Sequence, residues 1–289
     1  MKLIKRLTLV ALLPALLLTG FAAGRFTAAP PRFEPASGDA DELRAAFEDF
    51  QRAQGETLAL METREPFADP QMQAEAYRGL LYTIVGSIKA AGLVEHNFPR
   101  FMRAVDWTSK AGLDNPDNNY YFAMLRDDAQ YRIRATRGTT RNLIFQLVVG
   151  QPGVRGAGSS TNVSVVDAND LEIAPDGSFE LIVSREDPGP DSNWLPSGEG
   201  AEALLVRFTH SDWANEREGT LTIERIGAEG EQRPLLTPAS MAASLREVAV
   251  HMYVRTATWM DFADKAWLLR ARNSITAARP SRGGLVGQY

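Results

Sequence analysis

The sequence predicts an α+β fold, in which an antiparallel β-sandwich/jelly-roll-like core is flanked by N-terminal and C-terminal helices. Three observations predict it. Apolar residues recur at helical spacing near both ends of the chain, whereas the middle alternates apolar and polar residues. Because these alternating runs follow one another without helical patterns between them, we expect antiparallel sheets. The interleaving of helix, sheet and helix predicts one integrated domain over residues 39–279.

The first 23 residues have the three-part pattern of a secretory signal peptide. Lys2, Lys5 and Arg6 precede an uncharged run from Leu7 to Ala23. The run is shorter than the ~20 apolar residues that span a bilayer. We therefore predict a periplasmic or secreted protein; the alternative is an uncleaved inner-membrane anchor facing the periplasm.

Composition excludes several classes of site and partner. The 289 residues include no cysteine, so disulfides, thiolate metal sites and cysteine nucleophiles are excluded. The net charge of −5 disfavours nucleic acid as a partner. The three histidines are scattered, and we predict neither a metal site nor a cofactor. Contact with a membrane is expected only through an uncleaved N-terminal segment, and the oligomeric state stays open.

A helical zone is predicted over residues 39–112, after a linker rich in proline, alanine and glycine at residues 24–38. Asp69 is a good N-cap, and Pro70 suits the first helical position. The helix that follows is expected to end at Gly92. A shorter helix is predicted from Phe98-Pro99 to about Gly112. The apolar positions that mark the longer helix are Tyr77, Leu81, Ile84 and Ile88.

The β-sandwich is predicted over residues 120–227. Tyr131 and Ile133 alternate with Arg132 and Arg134, as in a strand with one buried face. The turn sequence Pro175-Asp176-Gly177 predicts a hairpin between residues 171–173 and the strand after the turn. The other strands are marked by apolar runs at Leu143–Val149, Phe179–Val183, Leu204–Phe208 and Leu221–Ile223.

A second helical zone is predicted over residues 237–278, followed by a flexible tail at 280–289. Thr237-Pro238 resembles a capped helix start. Arg255 interrupts an otherwise apolar stripe along this helix. The stripe consists of Met241, Leu245, Val248, Met252, Trp259 and Phe262.

Residues 171–213 carry a family resemblance. Asp176-Gly177-Ser178, the element Asn193-Trp194-Leu195-Pro196 and Arg207 follow one another in an order that resembles the bacterial domain-of-unknown-function 1214 family. The resemblance implies a β-sandwich or jelly-roll domain. It implies no activity and no catalytic residue.

Trp194 is the first candidate binding residue, in a loop from Pro188 to Gly200 that is rich in proline and glycine. An indole there is suited to stacking on a sugar, with Asp187 and Asp191 as polar neighbours. The two carboxylates also suit an acid/base pair for glycoside hydrolysis. The alternatives are that Trp194 packs against the sandwich and that both aspartates only form turns.

Arg255, Arg207 and His210 are the other candidates. Arg255 shares a helix face with Met252 and Trp259, and an unpaired buried charge is costly. We expect an ion pair there before an anionic ligand; the third alternative is a helix that breaks near residues 256–258 and exposes the arginine. His210 is expected as a surface histidine at the sandwich rim, and Arg207 precedes it on the same strand.

Two function classes follow. The first is a binding or accessory protein of the cell envelope for a small molecule or carbohydrate. The second is an envelope hydrolase or lyase that acts on a carbohydrate or anionic small molecule through carboxylates and arginines. Carboxylates, or a carboxylate and His210, converging in a deep cleft with Arg207 or Arg255 would favour the enzyme. A shallow apolar groove near Trp194 would favour binding.

Overall fold

A computed structural model of the chain describes residues 41–110, 112, 114–150 and 161–264. The predicted signal peptide, the predicted linker, the predicted end of the second helical zone at 265–278 and the predicted tail at 280–289 lie outside these residues. None of the described helices is long and apolar enough to cross a membrane.

In the described part of the chain, nine strands form two sheets. Neighbouring strands are antiparallel, except that β6 and β7 are parallel. The predicted α+β class with antiparallel-rich sheets is therefore confirmed. The larger sheet has, in spatial order, β1 (Met102–Arg103), β2 (Asn118–Met124), β8 (Ala201–Thr209), β4 (Asn142–Val149) and β5 (Thr161–Asp167). The smaller sheet has β7 (Trp194–Pro196), β6 (Ser178–Ser184), β3 (Tyr131–Thr136) and β9 (Leu221–Arg225).

Side chains from both sheets share one hydrophobic core, which gives a sandwich-like arrangement. Phe145 of β4 meets Phe179 of β6 edge to face, with ring centroids 6.1 Å apart. Tyr131 of β3 is fully buried; its hydroxyl donates to the His96 carbonyl at 3.1 Å and accepts from the Arg126 amide at 2.7 Å. A buried hydroxyl needs such partners, and these two tie the core to the segment before β1 and to the connection between β2 and β3.

The polar side of β3 is a lattice of ion pairs. Arg134 contacts Glu180 at 3.0 Å and Glu224 at 2.9 Å, and Arg132 contacts Glu224 at 3.2 Å. The period-two pattern of β3 is thus confirmed, because the arginines alternate with buried Tyr131 and Ile133. These arginines are neutralised across the strands.

Three α-helices frame the sheets: α1 (Glu42–Glu62), α2 (Pro70–Ser87), which continues as a π-helical turn at Ile88–Gly92, and α3 (Pro238–Ala263). Single 3₁₀ turns lie at Glu65–Ala68 and Ala168–Asp170. The Asp69 carboxylate accepts from the amides of Gln71 and Met72, which confirms the predicted N-cap.

Helices α1 and α3 run parallel and in contact. Arg246 of α3 lies 3.3 Å from Glu42 at the start of α1, and Asp264 lies 2.6 Å from Arg64 just beyond its end. Ala53 and Ala249 are buried between them, and small side chains allow close approach of the two backbones. This pairing fixes the C-terminal half of α3 beside α2 and the segment around residue 110.

The helix predicted from Phe98 to Gly112 is wrong. This stretch instead forms β1, and then a turn in which the Asp106 carboxylate accepts from the amides of Thr108 and Ser109. Burial raises the pKa of Asp106, but hydrogen bonds from Lys89 and Thr108 outweigh it and hold the pKa well below its usual range. Residues 171–173 also form no strand, although the turn at Gly177 is present.

Candidate functional site

Trp194 packs as part of the sandwich. Its indole nitrogen donates to the Ser184 carbonyl at 3.1 Å, and its backbone extends the smaller sheet beside β6. The preceding Asn193 bridges Glu172 and Glu180 through its side-chain amide. The tryptophan and asparagine of this element therefore hold a crossing segment to the sheet, which is the packing alternative and not a stacking platform.

Replacing Trp194 by phenylalanine is expected to lower the free energy of unfolding by about 1 kcal/mol, because it removes one hydrogen bond to a buried carbonyl and keeps the apolar surface. Urea denaturation measures this. The variant is also a control for ligand binding, which we expect to be unchanged. Loss of ligand binding in this variant would indicate that the binding site is the loop at residues 188–200 and not the cavity lined by Arg255.

Asp187 and Asp191 are exposed and form no catalytic pair in a cleft. The Asp187 carboxylate accepts from the Gly189 amide at 2.8 Å, as a turn residue does. Asp191 makes no hydrogen bond or ion pair with any other described residue. The structure therefore supports the turn-forming alternative for both.

His210 is buried, and not at the surface as expected. Its ring stacks on Trp213, with centroids 3.7 Å apart, and its Nε2 atom lies 3.3 Å from Glu218. Glu218 also accepts from Tyr121 at 2.7 Å and from Asn119. Burial and this bond to Glu218 raise the pKa of the Tyr121 hydroxyl.

The groups around His210 are engaged with one another. Glu216 lies 3.8 Å from the other ring nitrogen of His210 and accepts from the Ser211 amide. Arg207, also buried, has its guanidinium carbon 5.7 Å from the Tyr120 ring. Carboxylates and His210 do lie together, as the enzyme alternative would need. They form a polar network that joins the end of β8 to the segment before β9.

A cavity of about 410 Å³ lies where α1, α2, α3 and the segment around residue 110 meet. We call it the Arg255 cavity. Its apolar wall includes Met61 and Phe262, and Tyr82 and Lys110 add polar groups. None of the described residues that line it is a carboxylate. A cavity of this size suits a small molecule.

Arg255 lines this cavity without a compensating charge. No described residue forms a hydrogen bond or ion pair with its guanidinium, so the expected ion pair is not found in this part of the chain. Helix α3 is continuous through residues 256–258, so the broken-helix alternative is wrong. Burial lowers the pKa of Arg255 to about 10, and the side chain therefore stays cationic at neutral pH. Gly86 of α2 makes room for it: a Cβ there would stand 3.2 Å from Nη1.

Two neighbours of Arg255 are also unsatisfied. The Thr256 hydroxyl and the Trp259 indole nitrogen are buried without a hydrogen-bond partner among the described residues, and both residues line the cavity. Each such group costs about 1–3 kcal/mol when it is left unpaired. Two such groups beside an unpaired guanidinium are polar positions that a ligand in the cavity could satisfy.

His251 lies one turn before Arg255 and is held neutral. Burial and the charge of Arg255 lower its pKa to about 3, and its Nδ1 atom lies 3.0 Å from the Ser87 hydroxyl. It therefore adds no positive charge near the cavity at neutral pH.

A second, larger cavity of about 1030 Å³ lies between residues 92–100 and the start of α3. Its arginines are already engaged. Arg233 pairs with Glu95 at 3.1 Å, Arg126 pairs with Asp128, and Arg100 donates to the Leu93 carbonyl. The smaller cavity is therefore the better candidate site, because Arg255, which lines it, has no partner among the described residues.

The chain is similar in sequence and fold to a solved structure of an uncharacterised protein from Burkholderia cenocepacia. The two share 30% identity and a TM-score of 0.69, over 78% of this chain and 62% of that one. This chain therefore spans less than two thirds of that protein's length. A protein from Vibrio parahaemolyticus shares 13% identity and a TM-score of 0.26, over 45% of this chain and 31% of that one. No protein-family model and no curated protein matches the chain.

Sequence reasoning singled out Arg255 but missed the residues that surround it. Tyr82 and Met61 belong to other helices, and the sequence carries no signal for the distance between helices. The 3–4 spacing of Arg255 and Trp259 on one helix was the available signal. Gly86 and Gly112, where side chains would crowd Arg255 and Trp259, were recognisable only after folding.

Proposed function

We propose that this protein binds a small anionic molecule in the Arg255 cavity. The observation that carries the proposal is the Arg255 guanidinium, which lines a cavity at the junction of three helices and has no partner among the described residues. A guanidinium presents a planar fork that matches the two oxygens of a carboxylate. An anion in the cavity would supply the negative charge that the described residues do not place there.

Binding without catalysis fits the cavity better than hydrolysis or lyase chemistry does. Acid/base cleavage through carboxylates needs an Asp or Glu beside the substrate, and the described residues around this cavity provide none. The carboxylates near His210 are bonded to Asn119, Tyr121 and Ser211. The cavity therefore favours a binding or accessory role over the enzyme alternative.

We also propose that the protein acts in the cell envelope, as a periplasmic, secreted or anchored protein. The basic start and apolar run of the first 23 residues support this proposal. We further propose a relation to the domain-of-unknown-function 1214 family with its jelly-roll-like topology, which the sequence order of Asp176-Gly177-Ser178, Asn193-Trp194-Leu195-Pro196 and Arg207 supports. Fractionation of cells that express the full chain would test the location.

Thermal unfolding of the full chain in the presence of small anions and neutral sugars tests the binding proposal. An anion present at about 100 times its dissociation constant is expected to stabilise the protein by ~2.7 kcal/mol. The shift should disappear in Arg255→Met and persist in Arg246→Met, which alters an arginine on the same helix. Stabilisation by sugars alone, equal in both variants, would contradict the proposal.

A further inference from the structure

We infer that the ligand is a monocarboxylate with a flat, ring-containing apolar body, and that Asp114 sets this single-charge preference by neutralising Lys110. The inference rests on the proposed function and narrows the ligand to a chemical class. Three features of the Arg255 cavity lead to it: its count of free charges, the chemistry of its wall and the way the wall is held.

The charge count favours one negative charge. Two cationic side chains line the cavity among the described residues, Arg255 and Lys110. Lys110 is paired with Asp114, with Nζ and Oδ2 2.7 Å apart, whereas Arg255 has no partner among the described residues. His251 is neutral for the reason given above. The described part of the cavity therefore offers one uncompensated positive charge, which a carboxylate balances and a dianion exceeds.

The wall favours a flat apolar body. Trp259 and Phe262 meet edge to face, with centroids 5.7 Å apart, and Tyr82 adds a third ring from α2. Met61 and Met260 also line the cavity, and methionine sulfur atoms pack well against ring edges. Such a wall binds an apolar ring more favourably than a hydrated sugar, because the sugar hydroxyls would need polar partners.

The wall is also held in place. A Cβ at Gly112 would stand 2.6 Å from the Trp259 ring, so the indole lies directly against the glycine backbone. The φ angle of Gly112 is 61°, a conformation that favours glycine. A ring supported in this way offers a fixed surface, which lowers the ordering cost of binding.

Calorimetry on the full chain tests the inference with benzoate, its neutral isostere benzamide, the ringless acetate and the dianion phthalate. We expect benzoate to bind at least tenfold more tightly than each of the other three. Benzamide tests the charge, acetate tests the ring and phthalate tests the charge count. Arg255→Met should abolish the preference for benzoate over benzamide.

Asp114→Asn tests the role of Asp114. Freeing Lys110 should tighten phthalate binding at least fivefold relative to benzoate. Asp117→Asn is the matched control, since it makes the same change of charge three residues away, at a carboxylate that has no ion pair with a described residue. The ratio of phthalate to benzoate affinity should be unchanged in that control.

The possible results separate this inference from the proposed function. Arg255-dependent binding of phosphate, phthalate or acetate with an affinity equal to or above that of benzoate overturns the inference and leaves the proposed function standing. An unchanged affinity ratio in Asp114→Asn overturns the role of Asp114. Absence of any Arg255-dependent anion binding overturns both proposals.

Discussion

Replacing Arg255 by methionine is expected to raise the free energy of unfolding by about 1–3 kcal/mol and to weaken ligand binding at least thirtyfold. The gain in stability arises because a desolvated charge without a described partner is replaced by an apolar side chain of similar length. A base whose pKa is lowered by folding destabilises the folded state at every pH below that lowered value. With a folded pKa of about 10, the full cost is present at pH 7.

Arg246→Met is the matched control, because it makes the same substitution on the same helix at an arginine that has partners. Arg246 lies 3.3 Å from Glu42 and 3.7 Å from the buried Asp49. Its removal deprives Asp49 of one of its neighbouring cations, and a buried carboxylate that loses a partner is costly. We expect this variant to lose about 1–2 kcal/mol while its ligand binding is retained.

Urea denaturation without ligand, followed by calorimetry with benzoate, measures both effects. Opposite signs for the two arginine variants would show that Arg255 is kept for binding at the expense of stability, as functional groups often are. Equal destabilisation in both would show that Arg255 has a structural partner in the folded protein. That outcome would remove the main support for the site.

The alternating strands were the part of the fold most accessible from sequence. A strand with one buried face alternates apolar and polar residues. Tyr131, Ile133, Leu181 and Val183 lie on the buried face that this alternation predicts. The error at Phe98–Gly112 has a local cause. Apolar residues there cover the outer face of the larger sheet at irregular spacing, and Asp106 captures the backbone amides that a helix would need for itself.

Of the candidate site, the sequence allowed us to predict only the residues that lie together on one helix. Arg255 stood out because a charge interrupts an apolar stripe, but the stripe alone favoured an ion pair over a ligand. The choice between them depends on which carboxylates the other helices bring near. The predictions that Trp194 binds a ligand and that His210 lies at the surface failed for a related reason. Whether a side chain packs or is exposed depends on the neighbouring segments, which are β6 for Trp194 and the segment containing Glu218 for His210.

Acidification is expected to destabilise the protein through His251. Its pKa is about 3 in the folded state, against an ordinary value of 6.5, because burial and Arg255 disfavour the imidazolium. Between these two values the unfolded chain binds a proton that the folded chain does not, so stability falls as the pH falls. The loss is about 1.4 kcal/mol per pH unit, and above pH 6.5 this group contributes no pH dependence.

His251→Asn isolates this effect, because asparagine can still bond to Ser87 and does not titrate. The difference in unfolding free energy between the original protein and this variant should shift by about 2.5 kcal/mol between pH 7.5 and pH 4.5, in favour of the variant at the lower pH. Ser87→Ala, which removes the hydrogen bond and keeps the imidazole, should differ from the original protein by nearly the same amount at both pH values. A His251→Asn difference that is constant with pH would mean that the folded protein protonates His251, and that the helix junction around Arg255 is far more hydrated than its contacts indicate.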